Sequence, residues 1–183
     1  MKITETILKG CFVIEPKIFE DERGYFFESF NKKFFFDKTG IKIDFIQDNE
    51  SFSNKGVLRG LHYQKGVYAQ TKLVRVVKGK VQDVVVDLRK ESKTFGKHVS
   101  IILSDSNKKQ LFIPKGFAHG YCVLEDETIF SYKCDKYYNP KYEGGLFYND
   151  STLKIDWILD NNQLIISEKD KHQLSFVQFK NFK

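Results

Sequence analysis

Two short segments carry the residue types that proton-transfer chemistry needs. Gly56-Val-Leu-Arg-Gly-Leu-His-Tyr-Gln64 places His62 two residues after a glycine and three after Arg59. About fifty residues later a proline–glycine turn, Pro114-Lys-Gly, leads through Phe-Ala to a second histidine, His119. Imidazole titrates near neutral pH, so histidine is the side chain best suited to taking up and returning a proton there. A metal site on the same segments would want several imidazoles and a carboxylate close together. The first segment offers one histidine followed by Tyr63 and Gln64, which points to proton transfer rather than metal chemistry.

The elements that must position these residues read as strands. β-Branched and aromatic runs occur at Cys11–Glu15, Gly24–Phe30, Lys72–Val77, Lys80–Asp87, His98–Leu103, Lys109–Ile113, Gly120–Leu124 and Thr128–Lys133. Turn signals separate them at Lys78-Gly79, Ser104-Asp-Ser-Asn107, Pro114-Lys-Gly116 and Glu125-Asp126. Both histidines therefore belong on or beside strands. Short strands at this spacing predict an all-β sandwich, jelly roll or barrel, whose interior is able to hold a small ligand. Helical pattern is scarce: Asn31–Lys38 predicts one short helix, and the tail after Asn149 reads as loops and short turns. With no repeat, linker or low-complexity tract, residues 1–183 are expected to form one domain.

Composition narrows the function classes. Hydrophobic residues make up 41% of the 183, enough for a sizeable core, and 18 Phe and 9 Tyr make the interior or a cavity strongly aromatic. No apolar stretch approaches the ~20 residues of a membrane-spanning helix, and Met1-Lys-Ile-Thr-Glu-Thr-Ile has no apolar run that would mark a signal peptide or anchor. Cys11, Cys122 and Cys134 form no CxxC pair, which favours buried thiols and a cytoplasmic protein. The net charge is +6, but of 30 basic residues only Arg23, Arg59, Arg75 and Arg89 are arginine. The lysines are scattered among acids rather than gathered into a basic stripe, so neither nucleic acid nor a membrane is the expected partner.

Further motifs occur in order: Asp21-Glu-Arg-Gly-Tyr-Phe-Phe-Glu-Ser-Phe30, Gln47-Asp-Asn49, the segments ending at His62 and His119, Tyr132-Lys133, Tyr137-Tyr138, Glu143-Gly144 and Ser167-Glu-Lys-Asp170. Together they resemble the dTDP-4-dehydrorhamnose 3,5-epimerase family over about residues 10 to 175. The resemblance implies a cupin-type jelly-roll barrel with short flanking helices, a small-molecule nucleotide-sugar substrate and a homodimer with its active sites near the interface. It implies epimerisation next to a ketone. A C4 ketone acidifies the hydrogens on C3 and C5, so a base removes one as a proton, an acid returns a proton to the opposite face, and a positive charge steadies the enolate oxygen. Such chemistry needs no redox cofactor, and no metal where a lysine serves the oxygen.

Carried over position by position, the resemblance makes His62 the base, Asp170 its orienting partner, Tyr132 the acid and Lys72 the cation at the C4 oxygen. Lys72 is further expected to favour the Tyr132 phenolate. Arg23 and Arg59 match diphosphate ligands, Tyr138 the residue that stacks on thymine, and Glu28, Gln47 and Asn49 polar groups for base and ribose. His119, Glu143 and Lys169 match further substrate contacts. His172 is close enough in sequence to compete for Asp170. Relatives that invert a single carbon, or act on other 4-keto sugars, share most of these positions. A metal-dependent cupin enzyme is the rival on the strength of the Pro114–His119 segment, and a nucleotide-sugar binding module is the non-catalytic one.

Overall fold

The computed structural model describes residues 1–181. In chain order the strands are β1 (Lys2–Glu5), β2 (Phe12–Glu15), β3 (Ile18–Asp21), β4 (Gly24–Phe27), β5 (Gln47–Ser53), β6 (Val57–Gln64), β7 (Lys72–Lys78), β8 (Lys80–Asp87), β9 (His98–Ser104), β10 (Gln110–Ile113), β11 (Phe117–Val123), β12 (Thr128–Cys134), β13 (Glu143–Gly145) and β14 (Ile165–Ile166). Three short helices accompany them: α1 (Lys32–Thr39), α2 (Glu168–Lys171) and α3 (Phe176–Asn181). One sheet has the order β1-β2-β10-β7-β12-β5; the other runs β13-β6-β11-β8-β9, with β14 added in parallel to β6. The β3–β4 hairpin stands apart as its own two-stranded ribbon. The architecture is a jelly-roll barrel, one of the forms that the strand pattern allows and the one that the resemblance implies.

Side chains alternate across each strand, so each sheet can face two ways and the apolar residues sort into layers. Val74, Val76, Leu111 and Phe130 of the first sheet meet Val81, Val85, Leu103 and Val123 of the second, forming the core between them. On the outer face of the second sheet Leu61, Val84, Val86 and Ala118 are covered by Leu146, Leu153, Ile155 and Phe176. That explains why β8 reads as an almost continuous valine run: it is buried on both faces. On the outer face of the first sheet α1 inserts Phe35, fully buried, against Ile14, Leu73 and Phe112.

Local chemistry sets several boundaries differently from the expected ones. The strand expected over Gly24–Phe30 stops at Phe27 because Asn31 caps α1, accepting from the Phe34 N–H at 2.8 Å while its own amide binds Glu28. His119 lies inside β11 rather than before it. The tail after Asn149 is more ordered than loops alone, since Ser167 caps α2 and α3 docks Phe176 into the outer layer. β5 has no apolar pattern to announce it: Gln47, Asn49, Ser51 and Ser53 point inward, and its exposed positions include Asp48, Glu50 and Phe52. Its inward residues are polar because they line a cavity rather than a core.

Two glycines are required where the histidine strands meet. A Cβ on Gly60, whose φ is +134°, would lie 2.5 Å from the Gly120 Cα, and one on Gly120 would lie 2.8 Å from the Arg59 carbonyl oxygen. This close approach accompanies a register shift between His119 and Tyr121, so that His119 faces His62 and Tyr121 faces Arg59.

Candidate active site

A cavity of about 910 Å³ opens between the two sheets. From the second sheet it receives Arg59 and His62 of β6 and His119 and Tyr121 of β11; from the first it receives Lys72 of β7 and Tyr132 of β12. Base and acid candidates thus come from opposite walls, the arrangement that removing a proton on one face of a sugar ring and returning it on the other requires.

His62 Nε2 lies 2.5 Å from Asp170 Oδ1, although the two residues are 108 positions apart in sequence. The contact is built by the strap that precedes Asp170. Ile165 and Ile166 pair with Val57 and Leu58 at the start of β6, and α2 then turns Asp170 inward. Asp170 is 3% exposed, and its second oxygen accepts the Gly60 N–H at 3.3 Å. Burial pushes this carboxyl upward, but hydrogen bonds from His62, Gly60 and Ser167 and the charge of His62 outweigh it and hold it below its ordinary value. His172 does not compete, since its Nδ1 bonds the Glu168 carbonyl at 2.7 Å.

On the facing wall, Lys72 and Tyr132 come from paired strands, and the Lys72 ammonium lies 5.8 Å from the Tyr132 ring centre. The expectation that Lys72 favours a phenolate is corrected here. Burial dominates and pushes the Tyr132 hydroxyl up to about 12, with Arg59 the cation that opposes it. Tyr132 is therefore a protonated phenol at neutral pH, the form that donates. Lys72 is itself lowered by burial, against weaker attraction from Cys134, Asp83 and Glu143.

His119 is 7% exposed and bonds Asp83 through Nε2 at 2.9 Å. Asp83 is fully buried, its other oxygen has no hydrogen-bond partner, and burial raises its carboxyl despite the opposing pull of His119 and Lys72. Nothing in the Lys80–Asp87 run marks Asp83 as a site residue, since the same strand also carries Gln82 and Asp87. Ser51, Ser53 and Tyr121 were equally inconspicuous. Among the described residues no three or more His, Cys, Asp or Glu side chains are grouped to hold a metal ion.

A second cleft of about 320 Å³ shares Asn49 and Tyr132 with the cavity and is lined also by Gln47, Tyr138 and Glu143. Gln47 donates to Asn49 at 2.9 Å and accepts from the Tyr138 N–H at 3.0 Å. One oxygen of Glu143 accepts from the Tyr138 hydroxyl at 2.7 Å and from Lys169 at 2.5 Å. Tyr138 is 49% exposed. Arg59 donates to Ser53 Oγ at 3.1 Å. Two expected ligands lie elsewhere in this chain. Arg23 is on the β3–β4 hairpin, bonded to Asp21, and Glu28 bonds Asn31 beside α1.

Comparison with known proteins agrees with this arrangement. The family model described as dTDP-4-dehydrorhamnose 3,5-epimerase matches residues 5–178. A dTDP-4-dehydrorhamnose 3,5-epimerase of Shigella flexneri is 51% identical over 177 residues, covering 97% of each chain. The crystal structure of a dTDP-4-dehydrorhamnose 3,5-epimerase from Elizabethkingia anophelis superposes with a TM-score of 0.95 at 52% identity, covering 100% of this chain and 99% of that one. A Legionella pneumophila dTDP-6-deoxy-D-glucose-3,5-epimerase in complex with dTDP-4-keto-L-rhamnose superposes with a TM-score of 0.92 at 47% identity, covering 100% and 94%. The match runs through both walls of the cavity and the strap that carries Asp170, and the chain belongs to the dTDP-4-dehydrorhamnose 3,5-epimerase family.

Proposed function

We propose that this isomerase inverts C3 and C5 of dTDP-4-dehydro-6-deoxy-D-glucose, giving dTDP-4-dehydro-L-rhamnose, with the residues of the cavity in the following roles. His62 removes the proton next to the C4 ketone, and Asp170 orients the ring and steadies the imidazolium that forms. Lys72 stands at the oxygen where negative charge develops. Tyr132, kept protonated by burial, returns a proton from the facing wall. The proton removed and the proton returned balance, so no oxidant or reductant takes part. The observation that carries this reading is the His62–Asp170 pair facing Lys72 and Tyr132 across one cavity.

The nucleotide belongs to the adjoining surface: Arg59 for the diphosphate, His119 and Lys169 for its neighbourhood and the sugar, and Gln47, Asn49, Tyr138 and Glu143 for base and ribose. The same reading takes the chain as one domain, working in the cytoplasm, where its three cysteines stay unpaired. It also takes the protein as a homodimer. Arg23 and the aromatic residues Phe19, Tyr25 and Phe26 of the β3–β4 hairpin are exposed and lie outside this chain's cavity, which favours service at a second copy's site. Glu28, just beyond the hairpin, belongs with that contribution.

The test is to incubate the protein with dTDP-4-keto-6-deoxyglucose in D2O and follow C3 and C5 by proton NMR. Deuterium entering both positions is the expected result. Exchange at C3 alone would instead identify a mono-epimerase, and no exchange at either, with dTDP still bound, a different keto-sugar or a binding protein.

A further inference from the structure

Tyr121 has no part in the roles above, yet both its ring and its hydroxyl are held in the cavity wall. It stands opposite Arg59 in the β6–β11 ladder, so both side chains reach the same face. Its ring stacks on Phe130 with centroids 4.0 Å apart and planes at 17°, and the residue is 5% exposed, so the direction of the phenol is set by packing. The hydroxyl lies 2.7 Å from Ser51 Oγ on β5. Two hydroxyls share one hydrogen there. Whichever donates to the other, one O–H stays available to a third group.

The surroundings select the nature of that third group. Arg59 bonds Ser53 Oγ through Nε and Nη2, leaving other N–H donors of the guanidinium open to the cavity. Burial holds the Tyr121 phenol above its ordinary value, against the opposing pull of Arg59 and the Ser51 bond, so it stays a neutral donor. A fixed guanidinium beside an uncommitted O–H is an anion site, suited to two oxygens of one phosphate group or one oxygen on each of two.

We propose that Ser51 donates to the Tyr121 oxygen and that the Tyr121 O–H, left free and oriented by that bond, is a second anchor beside Arg59 for the diphosphate of the substrate. The assignment rests on the nucleotide-diphosphate reading above. It makes Ser51 a positioning residue, and it gives the Phe130 stack the task of aiming a donor as well as filling the core.

Tyr121→Phe keeps the stacked ring and removes only the hydroxyl. The dissociation constants of dTDP and of thymidine, measured by ligand-observed NMR for the wild type and this variant, give the test. The expected result is about tenfold weaker dTDP binding, the loss of one hydrogen bond to a charged group, with thymidine unchanged. Ser51→Ala, which leaves the stack untouched, should weaken dTDP in the same direction, and the double variant should add little to either single change. Unchanged dTDP affinity in Tyr121→Phe would overturn the assignment, as would equal weakening of thymidine, which would mark a packing role. A wild-type chain that does not bind dTDP would overturn the nucleotide reading and this assignment with it.

Discussion

At the scale of single residues, the site works by giving two ionisable groups opposite surroundings. His62 sits against a carboxylate held in its charged form, whereas Tyr132 sits in a wall whose burial keeps the phenol protonated. His62→Ala should therefore lower deuterium exchange at both C3 and C5 by a factor of about 10² to 10⁴, the usual worth of a positioned base, while dTDP affinity stays within about twofold. Turnover retained in that variant would remove His62 as the base. Tyr132→Phe should spare exchange more than inversion, because abstraction precedes the step proposed for Tyr132. Since the Tyr132 hydroxyl is raised to about 12, it keeps its proton at all lower pH, and the ratio of inversion to exchange should stay flat between about pH 8 and about pH 10. A ratio that falls with an ordinary phenol midpoint would contradict burial as the controlling influence.

At the scale of elements, β6 and β11 bring the two histidines face to face, and the loop after β8 secures the start of β11. Asp87, fully buried at the end of β8, accepts from the Arg89 N–H and guanidinium, Ser92 and Thr94, and Arg89 lies 4.4 Å from the Phe117 ring, two positions before His119. Burial works against this carboxylate, but the hydrogen bonds hold it at about 2. A carboxyl whose value is depressed by folding stabilises the protein above its unfolded value and loses that contribution as pH falls through the folded one. The fold should thus lose about 2 kcal/mol from Asp87 between roughly pH 4 and pH 2. Urea unfolding across that range checks it: in Asp87→Asn the contribution should already be missing at neutral pH, and the acid-dependent loss should be smaller by that amount.

At the scale of the whole molecule, a chain that displays Arg23 and an aromatic hairpin away from its own cavity invites a test by mixing. Suppose each active site combines its own His62 with Arg23 of a second copy. A dimer pairing an Arg23→Ala chain with a His62→Ala chain then holds one intact site and one doubly defective site. Unfolding and refolding an equal mixture makes about half the dimers mixed, so about a quarter of wild-type activity should return from two inactive parents. No recovery, with mixed dimers confirmed by native mass spectrometry, would assign Arg23 to its own chain or to neither site.

What could be read from the sequence alone were properties carried by local stretches of chain. The strand periodicity, the short helix after Phe30, the absence of a long apolar run and the order of the motifs around His62, His119, Tyr132 and Asp170 are all legible there, because side-chain type and short-range spacing express them directly. β5 escaped the pattern because its inward residues serve a cavity instead of a core, and Asp83 escaped it because nothing local separates it from Asp87, the other buried acid of the same strand. Only the tertiary structure decided that Asp170 reaches His62, that Tyr121 stands opposite Arg59, that Arg23 and Glu28 leave the cavity, and that burial keeps the Tyr132 phenol protonated. Each of these depends on which distant segments pack together, and on how much water that packing removes from a charge.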